Sequence, residues 1–238
     1  MKCQWYYSVG GCDSTLVLYN ELMKRQKNLE GGTLTALSIC HDQVGAQNQQ
    51  REAREKIKEE FIKRELNHVQ YIEVEMKHTI GAVYNATGLI QPCMWLPIST
   101  MYCHQTDTIF LGYHEGDDFW ARRHEAEKSF SGFCAVQDKT VSVVYPLEYK
   151  SKANIIMELK DRGLYDMCWY CENPNKVENK PCGECAPCKT HRTALWQIEE
   201  FNMVTTNECP QLSLGDDNIK PYTTDDVIES AADVIKGS

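Results

Sequence analysis

Apolar positions recur along this chain in two rhythms. A short aromatic run at 2–8, with Trp5, Tyr6 and Tyr7, is β-prone and gives way to Gly10 and Gly11. Leu16, Tyr19, Leu22 and Met23 then recur every three or four residues, predicting a helix that Asp13 or Ser14 can cap. A second strand is predicted at 34–40 (LTALSIC). A long helix follows at 47–66, with Ala53, Ile57, Phe61, Ile62 and Leu66 on one side and Glu59/Lys63 and Glu60/Arg64 paired at i,i+4. Further strands are predicted at 69–74, 108–112 and 140–144, with helical patterns between them. Ser151 can cap a helix carrying Ile155, Ile156 and Leu159, which Gly163 ends, and 189–201 reads as a helix with Ala194, Leu195, Ile198 and Phe201 turned inward. Strands alternating with helices predict an α/β fold, a parallel sheet with flanking helices.

The chain has 238 residues, 42% of them apolar and 25% charged, as expected for one globular domain with an appendage. Three segments are expected: an α/β domain at 1–165, a cysteine-rich segment and helix at 166–201, and a tail at 202–238. With 25 Lys and Arg against 34 Asp and Glu, the net charge is −9, which argues against a long nucleic-acid surface. The charge-dense helix near 51–65 mixes both signs, so a solvated face is expected there. The longest uncharged stretch, 79–106, is broken by Asn85, Gln91, Pro92, Pro97 and His104, so no membrane span is expected. The first residues leave no room for an export signal, and a cytoplasmic protein is expected.

Two clusters carry candidate chemistry. Ser8, Val9, Gly10, Gly11, Cys12, Asp13, Ser14 and Thr15 lie between a strand and a helix. Glycines admit close approach of backbone N–H groups to phosphate, and a helix N-terminus adds positive potential. The loop matches neither the Walker pattern nor the dinucleotide fingerprint. The second cluster is CWYCENPNKVENKPCGECAPCKTHR at 168–192, which holds five of the twelve cysteines. Cys182, Cys185 and Cys188 supply three thiolates for Zn²⁺, and Cys171, Cys168 or His191 supplies the fourth ligand. Full thiolate coordination makes such a site structural. Elsewhere, Asp117 beside Glu115 and Asp118 is a candidate for Mg²⁺ or a base edge. Trp120 with Arg122 and Arg123 can stack on a purine or hold a carboxylate.

YSVGGCDSTL resembles the S-G-G-x-D-S pyrophosphate loop of the PP-loop ATP pyrophosphatases, with Val9 in place of the first Ser. Within that group, the tail resembles the 7-cyano-7-deazaguanine synthases. Trp169-Tyr170-Cys171 and CGECAPC at 182–188 match their T-W-S-C and C-G-x-C-x-x-C signature, and Cys168 replaces the Thr. YPLEYKSKANI resembles their P-L-x-x-x-S-K-x-E-I run, and FLGYHEGDD keeps Asp117, but their S-G-Y-P-D-C-R segment is absent. The resemblance implies ATP on residues 8–15, Mg²⁺, catalytic roles for Asp13, Ser14 and Lys152, Cys171 as the fourth zinc ligand, and a homodimer. The implied reaction takes 7-carboxy-7-deazaguanine and ammonia, through adenylated intermediates, to the nitrile of the queuosine pathway, without direct nucleic-acid contact. Alternatives are a PP-loop tRNA sulfur transferase, needing a persulfide on Cys12 or Cys40, and a zinc-stapled nucleotide- or partner-binding protein without turnover.

Overall fold

A computed structural model describes residues 4–7, 10–28, 34–41, 46–66, 68–76, 92–117, 119–175 and 178–206. Ser8 and Val9 of the loop, Asp118 and the tail past 206 lie outside the described residues. Met1–Phe201 and Asn202–Ser238 separate as two units, and the fold below is that of the first.

Five parallel strands form one sheet: β1 (Gln4–Tyr7), β2 (Leu34–His41), β3 (Val69–Met76), β4 (Thr108–Phe110) and β5 (Ser142–Val144), in the order β3-β2-β1-β4-β5. Tyr6 stands level with Ala36 on one side and Phe110 on the other. Covered on both faces, β2 is buried from Leu34 to Cys40, hence its near-continuous apolar run. On the edge strand β3, by contrast, Tyr71, Glu73 and Glu75 are exposed while Ile72 and Val74 are half-buried.

Helices α1 (Cys12–Asn28), α2 (Gln47–Lys63) and α5 (Lys152–Asp161) bury Leu16, Ile57, Phe61, Ile155 and Leu159 with Tyr6, Leu34 and Ala36 on one face. On the opposite face, α3 (Pro92–Thr100) and α4 (Arg123–Val136) bury Trp95, Leu96, Phe130 and Cys134 with Leu37, Ile39 and Ile109. Parallel crossovers are right-handed, so strands added to opposite sides of β1 send their helices to opposite faces. The direction changes between β1 and β4, and such sheets bind ligands beyond the carboxyl ends of that strand pair.

Several boundaries differ from those read in the sequence. α1 begins at Cys12, ahead of both proposed caps, Asp13 and Ser14. α2 ends at Lys63, and Ile62 is 53% exposed because Ala53, Ile57 and Phe61 already form the inward stripe. Of the two expected ion pairs, Glu60–Arg64 forms at 2.8 Å, whereas Lys63 turns to Glu60 at 3.9 Å. The last helix, α6 (Ala186–Thr206), starts three residues before its expected start. Its Ala194 and Ile198 pack on Ala153 and Ile156 of α5, while Phe201, beyond that contact, is 57% exposed. Ser151 does cap α5, accepting from the Asn154 N–H at 3.2 Å, and Gly163 follows it at φ +65°. No helix among the described residues is long and apolar enough to cross a membrane.

Candidate functional site

The loop after β1 is shaped by two close approaches. Gly10 has φ +79°, and a Cβ there would lie 2.8 Å from the Gln50 carbonyl oxygen, so conformation and space both require glycine. Gly112, just past β4, presses on the same loop: its Cβ would lie 2.8 Å from the Asp13 carbonyl carbon and 2.9 Å from the Ser14 nitrogen. The hydroxyls of Ser14 and Thr15 turn back to the Gly11 carbonyl at 3.2 and 2.7 Å. The N-terminal end of α1, with its backbone N–H groups and dipole, therefore supplies the anion-binding character here.

Lys152, the first residue of α5, closes on this helix end, its Nζ 2.5 Å from Asp13 Oδ2. Burial disfavours the lysine charge, but Asp13, Cys12 and Asp117 outweigh it, and the ammonium titrates above its ordinary value. The fold thus unites Asp13, Ser14 and Lys152 although 139 positions separate Lys152 from Asp13. Asp13 Oδ1 is buried without a hydrogen-bond partner, which suits a hard cation that takes carboxylate oxygens.

Asp117 joins this group. Its Oδ2 accepts from the His114 N–H at 2.9 Å. Burial first, and then the Asp13 charge, push its pKa up, against the pull of His114 and Lys152. His114, which the sequence reading passed over, is 2% exposed; its Nδ1 accepts from the Gly116 N–H at 3.1 Å. Only the H-E-G spacing hinted at that turn. Arg122 is not gathered here: it is exposed at the end of the 3-10 turn Trp120–Arg122. Its neighbour Arg123 lies 4.2 Å over the Trp120 ring and donates to Glu148 at 2.9 Å.

The second cluster assembles as one centre. The sulfurs of Cys171, Cys182, Cys185 and Cys188 all lie within 4.8 Å of one another. The separations are 3.6 Å for Cys171–Cys182 and 3.9 Å for both Cys182–Cys188 and Cys171–Cys185. A tetrahedral ion with zinc–sulfur bonds of about 2.3 Å places its sulfurs about 3.8 Å apart. The donor set therefore fits one shared ion, and a cubane cluster, with each thiolate on its own iron, would spread the sulfurs wider. Gly183 turns the knuckle at φ +76°, and the N–H groups of Cys185 and Glu184 pull the Cys182 thiol down to about 6, toward the thiolate a metal needs.

Cys168 lies elsewhere: its thiol donates to the Leu164 carbonyl at 3.5 Å, and its interaction with Cys12 at the loop, then burial, push it well up. His191 is also outside the set. It stacks on Tyr170 at 3.6 Å, its Nε2 meets the Tyr165 hydroxyl at 2.7 Å, and burial, aided by the Lys152 charge, pushes its pKa down to about 4.

No protein-family profile matches this chain, and no curated protein matches it significantly. Among solved structures it is similar to the U34-tRNA thiolase NcsA from Methanococcus maripaludis with its [4Fe-4S] cluster. The TM-score is 0.51 at 16% identity, over 94% of this chain and 78% of the thiolase. That likeness concerns the fold: the α/β architecture expected from the sequence is shared with that thiolase.

Proposed function

We propose that the protein is an AMP-forming PP-loop ligase that converts 7-carboxy-7-deazaguanine and ammonia to 7-cyano-7-deazaguanine. The observation that carries this reading is the Lys152–Asp13 pair at the N-terminus of α1, which joins the S-K run to the glycine loop at the sheet's switch point. ATP lies with its phosphates against residues 10–15. A substrate carboxylate oxygen bonds to the α-phosphorus as the bond to pyrophosphate breaks, and ammonia then displaces AMP from the acyl carbon. A second ATP activates the amide oxygen, which leaves with AMP as the nitrile forms. Lys152 and the α1 backbone N–H groups stabilise charge growing on the α-phosphate. Asp13 and Asp117 are the carboxylates that would hold Mg²⁺, whose chemistry is to neutralise phosphate charge. Cys171, Cys182, Cys185 and Cys188 would hold a structural Zn²⁺. We further propose a cytoplasmic homodimer that makes no direct contact with nucleic acid.

A second reading, sulfur transfer to tRNA, is supported by the fold shared with a tRNA thiolase and by the Cys12–Cys168 pair at the loop. Against it stand the net charge of −9 and the high thiol pKa of Cys168, which weakens it as a nucleophile. One assay separates the two. The metal-replete protein is incubated with ATP, Mg²⁺, ammonium and 7-carboxy-7-deazaguanine, or with tRNA and a persulfide donor, and products are followed by mass spectrometry. Nitrile with AMP is expected; thiolated tRNA without nitrile would overturn the ligase reading.

A further inference from the structure

The turn that follows β4 is built around a buried histidine. The Asp117 N–H donates to the His114 carbonyl at 3.0 Å, and the His114 N–H donates to Asp117 Oδ2 at 2.9 Å, which closes 114–117 into a tight turn. The Glu115 N–H bonds to the Glu148 carbonyl at 3.1 Å and ties the turn to the segment leading into α5 and Lys152. We propose that the His114 imidazole is a positioning group: its Nε2–H holds the second oxygen of Asp117, so that this carboxylate meets a divalent cation at a fixed angle. The inference rests on the reading above in which Asp13 and Asp117 hold Mg²⁺, and adds to it the residue that orients one of the two carboxylates.

The turn itself locks the ring from one side. Nδ1 accepts from the Gly116 N–H at 3.1 Å, and this bond leaves the ring proton on Nε2. A Cβ at Gly116 would lie 3.0 Å from the ring Cε1 and 3.1 Å from Nδ1, so glycine lets the backbone lie against the ring edge. Nε2 is buried and has no hydrogen-bond partner among the described residues. What it faces is Asp117 Oδ1, 3.4 Å away. A buried donor is costly when unpaired, and a small rotation of the carboxylate about its Cβ–Cγ bond completes this one.

The chemistry of a carboxylate leaves room for both partners. Each of its oxygens carries two lone pairs, so one donor on each still leaves a lone pair on each for a cation. The terminal torsion of an aspartate is otherwise broad, and its partners set the angle. The backbone N–H bond to Oδ2 survives any substitution at 114, so the imidazole contributes the hold on Oδ1 alone. Groups that orient a metal ligand in this way are usually worth about 10–100-fold in metal affinity.

Two substitutions divide the work of the ring. A glutamine amide reaches the place of Nε2 and donates to Asp117, whereas an asparagine oxygen replaces Nδ1 and keeps the Gly116 bond without reaching Asp117. The test uses full-length wild-type protein, His114→Gln, His114→Asn, Asp117→Asn and the His114→Asn/Asp117→Asn double variant. Electron paramagnetic resonance measures Mn²⁺ affinity in the presence of a non-cleavable α,β-methylene ATP analogue, and calorimetry measures binding of the analogue without divalent ion. His114→Asn should weaken Mn²⁺ about tenfold and His114→Gln less than about threefold. On Asp117→Asn, the further change His114→Asn should add less than about twofold, because the group it orients is already gone. Neither single His114 variant should move metal-free analogue binding. If both leave Mn²⁺ affinity at the wild-type value, the imidazole does not orient the carboxylate and only this inference falls. Rescue by asparagine rather than glutamine, equal loss in both, a full tenfold loss on Asp117→Asn, or loss of metal-free analogue binding would assign His114 to the fold of the turn and also overturn it. A wild-type protein that binds the analogue but no Mn²⁺ overturns the metal reading and this inference with it.

Discussion

The backbone N–H of Trp169 donates to the Gly10 carbonyl at 2.9 Å, tying the cysteine-rich segment to the glycine loop. Two residues on, the Cys171 carbonyl accepts from the Trp169 indole N–H at 2.7 Å, and the Cys171 thiol is part of the four-sulfur cluster. The centre therefore holds more than its own segment. Removing the metal with a chelator should weaken binding of the non-cleavable ATP analogue by roughly fivefold, the equivalent of one hydrogen bond of about 1 kcal/mol. Unchanged affinity in metal-free, folded protein would show that the loop keeps its shape unaided.

Metal content distinguishes the two cysteines at the head of the cluster. Cys171→Ser should lose the ion, measured as metal per chain by elemental mass spectrometry, and both it and Cys185→Ser should lose solubility. Cys168→Ser should keep about one ion per chain, because its thiol faces Cys12 and Thr15. Loss of metal from Cys168→Ser would contradict the four-sulfur centre.

Lys152→Met should lower ATP-dependent pyrophosphate release by about 10²–10³-fold, the usual cost of removing a charge-stabilising donor. Its folding transition should shift far less, because Asp13 is a quarter exposed and water can solvate it. Activity within threefold of wild type would remove Lys152 from the reaction.

Gly112→Ala tests the contact between the two loops. The added methyl meets backbone atoms of Asp13 and Ser14 at under 3 Å, which only a main-chain shift can relieve. Overpacking of this kind costs about 1–3 kcal/mol. Thermal unfolding should fall accordingly, together with affinity for the ATP analogue. A variant with wild-type melting and wild-type affinity would mean that the loops part without cost.

Asp117 carries a pH signature. Its folded pKa lies above the unfolded one, so at neutral pH its ionised form is a cost of folding, relieved as pH falls through the folded value toward the unfolded one. Asp117→Asn, whose amide oxygen still accepts from the His114 N–H, should raise the melting temperature at pH 8, and the gain should shrink toward pH 5. A gain that grows on acidification would reverse the assigned direction. The same variant should lose activity, because perturbed carboxylates gather at working sites.

Much of this molecule is written locally. The strand and helix rhythms, the Ser151 cap, the Gly163 stop and the spacing of Cys182, Cys185 and Cys188 all lie within a few residues of their partners. A strand face repeats every two residues, a helix face every three or four, and a thiolate knuckle within three, so the chain alone announced an α/β sheet, a glycine loop and a cluster of thiols able to hold a metal. Local pattern failed where packing had to choose. It could not tell Ile62 and Phe201 from the apolar residues that do face inward, because exposure depends on where the neighbouring element ends.

The working arrangement belongs to the tertiary structure. Lys152 meets Asp13 across 139 positions, Gly112 meets Asp13 and Ser14, and Trp169 meets Gly10. These contacts follow from the order β3-β2-β1-β4-β5, which brings the ends of β1 and β4 side by side though about a hundred residues separate them. The same packing turned Cys168 to the phosphate loop, left Arg122 in water while seating Arg123 on Trp120, and buried His114 beside Asp117. Residue types and spacing determined which chemistry this protein can hold. Strand order and helix packing decided which of those groups stand together, because distance along a chain carries no information about distance across a sheet.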